Sequence, residues 1–335
     1  MIIVHYVEPP PSGPAKDGEA RFIARKILEG EETVPPGAVW IDVIEPTSEE
    51  EQKVEAFLGA QVPTPLDPHY SQPPEAYYAE NGVRYLRASV VSEVETTPDV
   101  TPVTFVIGAS ALVTVRNDPV TAFERYGEKI CKAPAKTLQP DVIAVGLVNA
   151  VINESAQALS TVGIELDAIA SRTFHAKGDN SRRNRVYLET LDSLGREDEK
   201  ISNLRESMVT IERLLLFLSA EGRPETGGKP LQQATKAALR DLQALEQDAT
   251  FKSQKVQFLL DATLGLINLA QNDIIKLFSV LAVIFMPPTL IASVYGMNFK
   301  AMPELDWRFG YPMALGLMLL AAVLPYVFFR WKKWL

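Results

Sequence analysis

Hydrophobic residues change their spacing twice along this chain. Up to about residue 120 they come in short runs, rich in β-branched and aromatic side chains and bounded by turn residues. Ile2 to Val7, Ala38 to Ile44, Val83 to Val94, Val103 to Ile107 and Leu112 to Arg116 are predicted strands. Thr47-Ser48-Glu49-Glu50 carries a capping box and opens a helix that Gly59 would stop. Gln61 to Pro74, with five prolines, and Thr97 to Pro102 are predicted to be irregular. Residues 1–140 therefore read as an α+β domain, a mixed sheet with flanking helices.

After Pro140 apolar residues recur every three and four positions, and glycine and proline become rare. Helices over Asp141 to His175 and Arg182 to Glu221, joined by a turn at Lys177 to Ser181, fill most of 141–230. Gly222 to Pro230 breaks the pattern. A third helical pattern then runs from Leu231 to Val294, roughly 95 Å of helix at 1.5 Å per residue. It reads as a stalk over 231–276 that becomes the first of two apolar runs, 277–295. A loop over 296–310 leads to the second run, 311–329, and a basic tail over 330–335. No charge lies between Lys276 and Lys300, nor between Arg308 and Arg330. Each run is roughly 20 residues, the length that crosses a bilayer as helix. Soluble core helices of that length rarely lack a polar face. Pro287-Pro288, inside the first run, is expected to kink or locally open it.

Tyr295, Trp307, Tyr311, Tyr326, Trp331 and Trp334 flank the runs, as interfacial aromatic anchors do. The tail Arg330-Trp331-Lys332-Lys333 places the C-terminus in the cytoplasm by the positive-inside tendency, and two spans put the N-terminal region there too. Met1 to Glu8 has no basic segment and no long apolar stretch, so no signal peptide is expected. One cysteine, Cys131, fits a reducing compartment. Net charge is −9, which argues against nucleic acid as a partner. His5, His69, His175 and Cys131 show no zinc-site spacing. Neither a phosphate-cradling glycine loop nor a nucleophile–base arrangement is present, so an enzyme is not expected.

Steps of four and three along the long helix pick out Asp261, Gly265, Asn268, Asn272, Ile275, Ser279, Ala282, Met286, Thr289 and Ser293. Most are small or polar amid Phe, Leu, Ile and Val. A period near 3.5 keeps such a stripe on one axis of a left-handed bundle. There it would line a narrow hydrated conduit, with Ile275, Ala282 and Met286 as apolar constrictions that close by dewetting. Small residues also suit close helix packing, the competing reading for the membrane members. Asp261 lies among leucines and would be costly unless it faced water or a cation. Repeated around an axis it makes an acidic ring, a tentative metal site. A two-helix hairpin encloses no pore alone, so conduction needs several copies.

Where the first run meets water stands Gly296-Met297-Asn298. Gly296 permits a bend, Met297 shields, and Asn298 offers a neutral amide oxygen. Magnesium holds its waters tightly and dehydrates reluctantly. A ring of such oxygens can grip the hydrated ion without trapping it, which permits magnesium.

Tyr295-Gly296-Met297-Asn298, followed by Met302-Pro303-Glu304-Leu305, resembles the signature of the CorA family of magnesium transport proteins. The likeness includes Phe258 to Gly265, Phe285 to Leu290 and Lys332 to Leu335, and is specific over roughly the last 80 residues. The resemblance implies a homopentameric, funnel-shaped channel in a bacterial inner membrane, with the first span lining the pore and the second facing lipid. It implies that Gly296, Met297 and Asn298 form the outer selectivity ring. It also implies that Asp261, Asn272, Met286 and Thr289 face the pore, and that Glu304 lies in the periplasmic loop, where it recruits cations or is only a solvated charge. Magnesium, with cobalt as a second ion, is then the transported substrate; magnesium is also the regulatory ion, and no other cofactor is expected. Asp192, Glu197, Asp198 and Glu199 read as a solvated face. Zinc, nickel or cobalt transport on the same architecture is one alternative, although Met297 favours magnesium. A membrane-tethered sensor without conductance is the other.

Overall fold

The computed structural model describes residues 1–8, 22–64, 76–94, 97–132, 138–175, 180–220, 228–297, 302–303 and 309–332. Strands β1 (Ile2–Val7), β2 (Ile23–Leu28), β3 (Ala38–Ile44), β4 (Tyr77–Glu80), β5 (Val83–Val94), β6 (Thr97–Ile107) and β7 (Leu112–Arg116) form one sheet in the order β2-β1-β3-β7-β6-β5-β4. All pairs are antiparallel except β3 with β7, where Trp40 lies opposite Leu112 and Asp42 opposite Thr114. Every residue of β7 is buried, as a strand covered on both faces requires.

Two sets of helices supply that cover. Helix α1 (Ser48–Leu58) starts on the expected capping box of Thr47 and Glu50 and stops at Gly59, whose φ of 72° is the left-handed value glycine tolerates. Its Val54 joins Ile2, Val4, Ile41, Val43, Val113 and Val115 in the core. On the other face, Phe123 of α2 (Thr121–Ile130) packs edge-on to Trp40 and Phe105. Helix α3 (Pro140–Phe174) is tied to β5 by Asp141 to Arg84 at 2.6 Å. Helix α4 (Asn180–Ala220) meets β5 where Ser89 N–H donates to Thr210 Oγ1 at 2.9 Å.

Three features depart from the reading of the sequence. Strands β2 and β4 and helix α2 carried no recognised signal; α2 has no side-chain cap at Val120. Thr97 to Pro102, expected to be irregular, is the first half of β6, with Pro98 opposite Glu93 and Pro102 opposite Ser89. Of β6, β7 pairs only with Val103–Ile107, so the first half of β6 has an open side where a missing N–H breaks no ladder. Pro287-Pro288, expected to kink or locally open the helix, do not end it. Helix α5 (Gly228–Tyr295) runs through both, since proline's fixed φ is helical, and Thr289 Oγ1 donates across them to the Phe285 carbonyl at 2.7 Å.

Two compact units divide the chain. One holds Met1–Ser171 and Asp192–Phe258, the other Arg172–Leu191 and Leu259–Leu335. In the second, Thr173 and Thr190 share a 2.9 Å hydroxyl hydrogen bond, and α6 (Gly310–Trp331) follows α5. Three helices, α3, α5 and α6, are long and apolar enough to cross a membrane by length and composition. The most apolar stretch of α3 is 50% buried inside the chain, against 6% for α5 and α6. α3 thus spends its apolar face on the core, whereas the other two leave theirs uncovered.

His5 is buried in the sheet, stacked on Trp40 at 4.4 Å, and neither ring nitrogen has a hydrogen-bond partner. Burial pushes it down to about 4, against a partial upward pull from Asp42, with Arg25 adding to the fall. The folded state thus resists protonation that the unfolded chain accepts near 6.5. Its contribution to stability is complete above that pH and is lost as pH falls toward 4, by about 3 kcal/mol. His5→Phe is expected to flatten that part of the stability profile and lower the pH of acid unfolding. Acid titration of the two proteins checks this, and parallel curves would refute it.

Candidate functional site

Helix α5 spans roughly 100 Å at 1.5 Å per residue, and its two sides differ. Ala238, Leu242, Ala249, Val256, Leu259, Thr263 and Ala270 are buried, at steps of three, four and seven. Asp261, Gly265, Asn268, Asn272, Ile275, Ser279, Ala282, Met286, Thr289 and Ser293 are all exposed. At 100° per residue, a position five beyond a buried one lies about 140° round the helix. Asp261 stands in that relation to Val256, Asn268 to Thr263 and Ile275 to Ala270. The ten predicted stripe residues therefore lie on one continuous face, opposite the buried one as far as Ala270; beyond it only Val280 is buried, and the rest of the helix is exposed or half-buried all round.

Two of the three hydroxyls on this face are already committed. Ser279 Oγ donates to the Ile275 carbonyl at 2.8 Å, and Thr289 Oγ1 to that of Phe285. With the proton spent on the backbone, each oxygen presents only lone pairs outward, which suits a cation or the oxygen-bound water of one.

Helix α5 ends at the tripeptide. Gly296 N–H donates to Ala292 O at 2.9 Å and Met297 N–H to Val294 O at 3.3 Å, a tightened last turn. Met297 is exposed. Asn298 and Glu304 lie outside the described residues. Among the described residues no group of three His, Cys, Asp or Glu side chains stands close enough to hold a metal ion.

The expected solvated acidic face holds only in part. Asp192 is exposed and paired with Arg196, and Asp198 and Glu199 are exposed. Glu197 is 6% exposed and receives Lys200 at 2.8 Å, because it falls on the side of α4 that buries Leu194 and Ile201. Three stripe residues went unread. Phe258, Gln254 and Phe251 continue the same steps upstream of Asp261 and are exposed, the two phenylalanines at 62% and 64%. Their signal was the period itself, carried three steps further.

The family described as CorA-like Mg2+ transporter protein matches residues 36–333. The magnesium transport protein CorA of Haemophilus influenzae is 32% identical over 299 residues, 89% of this chain and 92% of that one. That of Escherichia coli K12 is 32% identical over 311 residues, 92% and 96% of the two chains. The complete CorA magnesium transporter of Methanocaldococcus jannaschii shares the fold at a TM-score of 0.74 and 17% identity, covering 100% of this chain and 99% of that one. The likeness is thus not confined to the last 80 or so residues, where the motifs lie. Sheet, stalk and apolar hairpin match together from Pro36 onward, and the chain belongs to the CorA-like Mg2+ transporter family.

Proposed function

We propose that this chain is the subunit of a homopentameric channel that admits magnesium to the cytoplasm, with α5 lining the conduit and α6 facing lipid. Membership in a family of transporters makes it a transporter of divalent cations rather than an enzyme. What carries the rest is the exposed stripe on α5, mostly small and polar residues at steps of four and three amid Phe, Leu, Ile and Val, which lies opposite the buried residues as far as Ala270. Copies of the helix around an axis would enclose that stripe and leave the packing of each protomer untouched.

In this arrangement Asn298, with Gly296 and Met297, holds the hydrated ion at the outer mouth. Ser279, Thr289, Ser293, Asn272 and Asn268 pass it along through its waters, and Ile275, Ala282 and Met286 form the constrictions. Asp261 collects it at the inner mouth. Glu304 attracts cations outside. Both termini are cytoplasmic, on the side of the basic tail. A potential of 100 mV is worth about 2.3 kcal/mol per charge, so a divalent ion gains roughly twice that on entry without ATP. Cytoplasmic magnesium closes the channel, and cobalt follows as a passenger.

Proteoliposomes test this. Magnesium is expected to enter faster than zinc when driven by an inside-negative potential, and the detergent-solubilised protein is expected to have a mass by light scattering of about five chains of 37.0 kDa. Zinc entry without magnesium would overturn the substrate, and a monomeric mass without flux would leave only a tether.

A further inference from the structure

The hairpin of β5 and β6 outgrows the rest of the sheet. β5 has 12 residues and β6 has 11, but β4 reaches only to Leu86 on one side and β7 only to Val103 on the other. Among the described residues, Thr97–Pro102 therefore pairs with β5 alone and forms an edge of the sheet. A strand edge offers its row of N–H and C=O groups to any other strand. This one is a particular hazard, because Val100, Thr101, Val103, Thr104, Phe105, Val106 and Ile107 are all β-branched or aromatic.

The hydrogen bonds of β5 decide which backbone groups of β6 point outward. Ser89 N–H donates to Thr210 Oγ1 of α4 at 2.9 Å, and the Ser89 carbonyl accepts from that hydroxyl at 3.2 Å. Arg87 N–H donates to the Ala76 carbonyl at 3.0 Å. Arg87 and Ser89 thus turn their backbone groups away from β6. In an antiparallel ladder such outward residues alternate with paired ones, and the residue opposite an outward one is outward too. Ser89 lies opposite Pro102, Val91 opposite Val100 and Glu93 opposite Pro98. The outward residues of the free edge are therefore Pro98, Val100 and Pro102. None has a donor to offer. A proline has no N–H, and its ring fills the place of the hydrogen. Val100 N–H is already taken by the carboxylate of exposed Asp99, at 2.8 Å to Oδ1.

We infer that Pro98, Asp99 and Pro102 close this edge to strand addition, so that copies of the chain cannot join sheet to sheet along β6. An incoming strand meets three carbonyls and no free donor. At each outward residue it can form at most one of the two bonds that a closely spaced antiparallel pair exchanges. The Asp99 carboxylate also sets negative charge beside the place where the partner's carbonyl oxygens would come. The positions are selective. A proline at 99 or 101 would remove an N–H that the ladder to β5 uses, whereas 98 and 102 cost that ladder nothing. The opposite edge of the hairpin is closed by other means, since Thr210 occupies both backbone groups of Ser89.

The test is light scattering on the full-length protein in detergent, with wild type as the reference whatever its subunit number. Pro98→Val/Asp99→Thr/Pro102→Val returns three donors to the edge. Its mass is expected to grow about twofold or more over about a tenfold rise in concentration, as mass action requires of a reversible contact, while wild type stays constant. Hydrogen exchange of the amides at 97–103 is expected to slow by about tenfold over the same range. Pro98→Val/Asp99→Lys/Pro102→Val removes the same prolines but sets a lysine on each edge, and is expected to keep the wild-type mass at low salt. Constant mass in the threonine variant would overturn the closed edge. Equal growth in both variants, or growth without slower exchange at 97–103, would overturn it as well, because strand pairing would not then be the cause.

Discussion

Replacing Asn298 by alanine is expected to stop magnesium uptake and leave the assembly whole. In the proposed channel one substitution removes an amide oxygen from every copy, so the outer ring loses all its acceptors together. A hydrogen bond to a neutral group contributes about 0.5–1.5 kcal/mol net. Even at the low end, five losses sum to more than 2 kcal/mol, and a factor of ten is about 1.4 kcal/mol. Entry should fall roughly a hundredfold. The packing of α5 should not change, because its buried side runs through Val256, Leu259, Thr263 and Ala270, remote from the tripeptide. Uptake in cells stripped of other magnesium transporters, with light scattering on the purified variant, reads both quantities. Wild-type uptake by Asn298→Ala would remove the tripeptide from the mechanism.

The stripe was legible from the sequence because it depends only on spacing. Seven residues return a helix to nearly the same side, so small and polar residues at steps of four and three mark a face without any knowledge of neighbours. The central strands were legible for a similar reason. Ile2–Val7, Ala38–Ile44 and Leu112–Arg116 are runs of β-branched and aromatic side chains, as strands buried on both faces must be. The edges escaped notice. β2 carries Arg25 and Lys26 in its middle, and β4 is four residues ending in Glu80. An edge strand can be charged, since one side of it faces water, and a charged run reads as loop. The likeness is 32% of positions over 299 residues, and upstream of residue 258 no compact motif carries it. A single chain displays such likeness only through its architecture.

Asp42→Ala is expected to loosen the centre of the sheet strongly. Arg116 is 0% exposed, and its guanidinium is held by Asp42 through Nη2 to Oδ2 at 2.8 Å and through Nε at 3.2 and 3.3 Å. The same carboxylate accepts from Thr114 Oγ1 at 2.7 Å, which in turn accepts from Trp40 Nε1 at 2.9 Å. Arg116 Nη1 also donates to the Asp118 carbonyl at 2.6 Å. These bonds join β3 to β7 across 74 residues of sequence, at the one parallel pairing in the sheet. Alanine at 42 leaves a buried cation without its counter-charge, a loss of about 3–5 kcal/mol. The pair itself is worth much less than that, because both charges gave up water to form it. Asp42→Val/Arg116→Met should therefore recover most of the loss, and the two changes should be strongly non-additive. Hydrogen exchange of the β3 and β7 amides in the full chain reads this directly. Protection should fall by about a hundredfold or more in Asp42→Ala, at 1.4 kcal/mol per factor of ten, and return in the double variant. Exchange within threefold of wild type in Asp42→Ala would mean that water or a nearby carbonyl satisfies Arg116, and that β3 and β7 are held by their apolar residues alone.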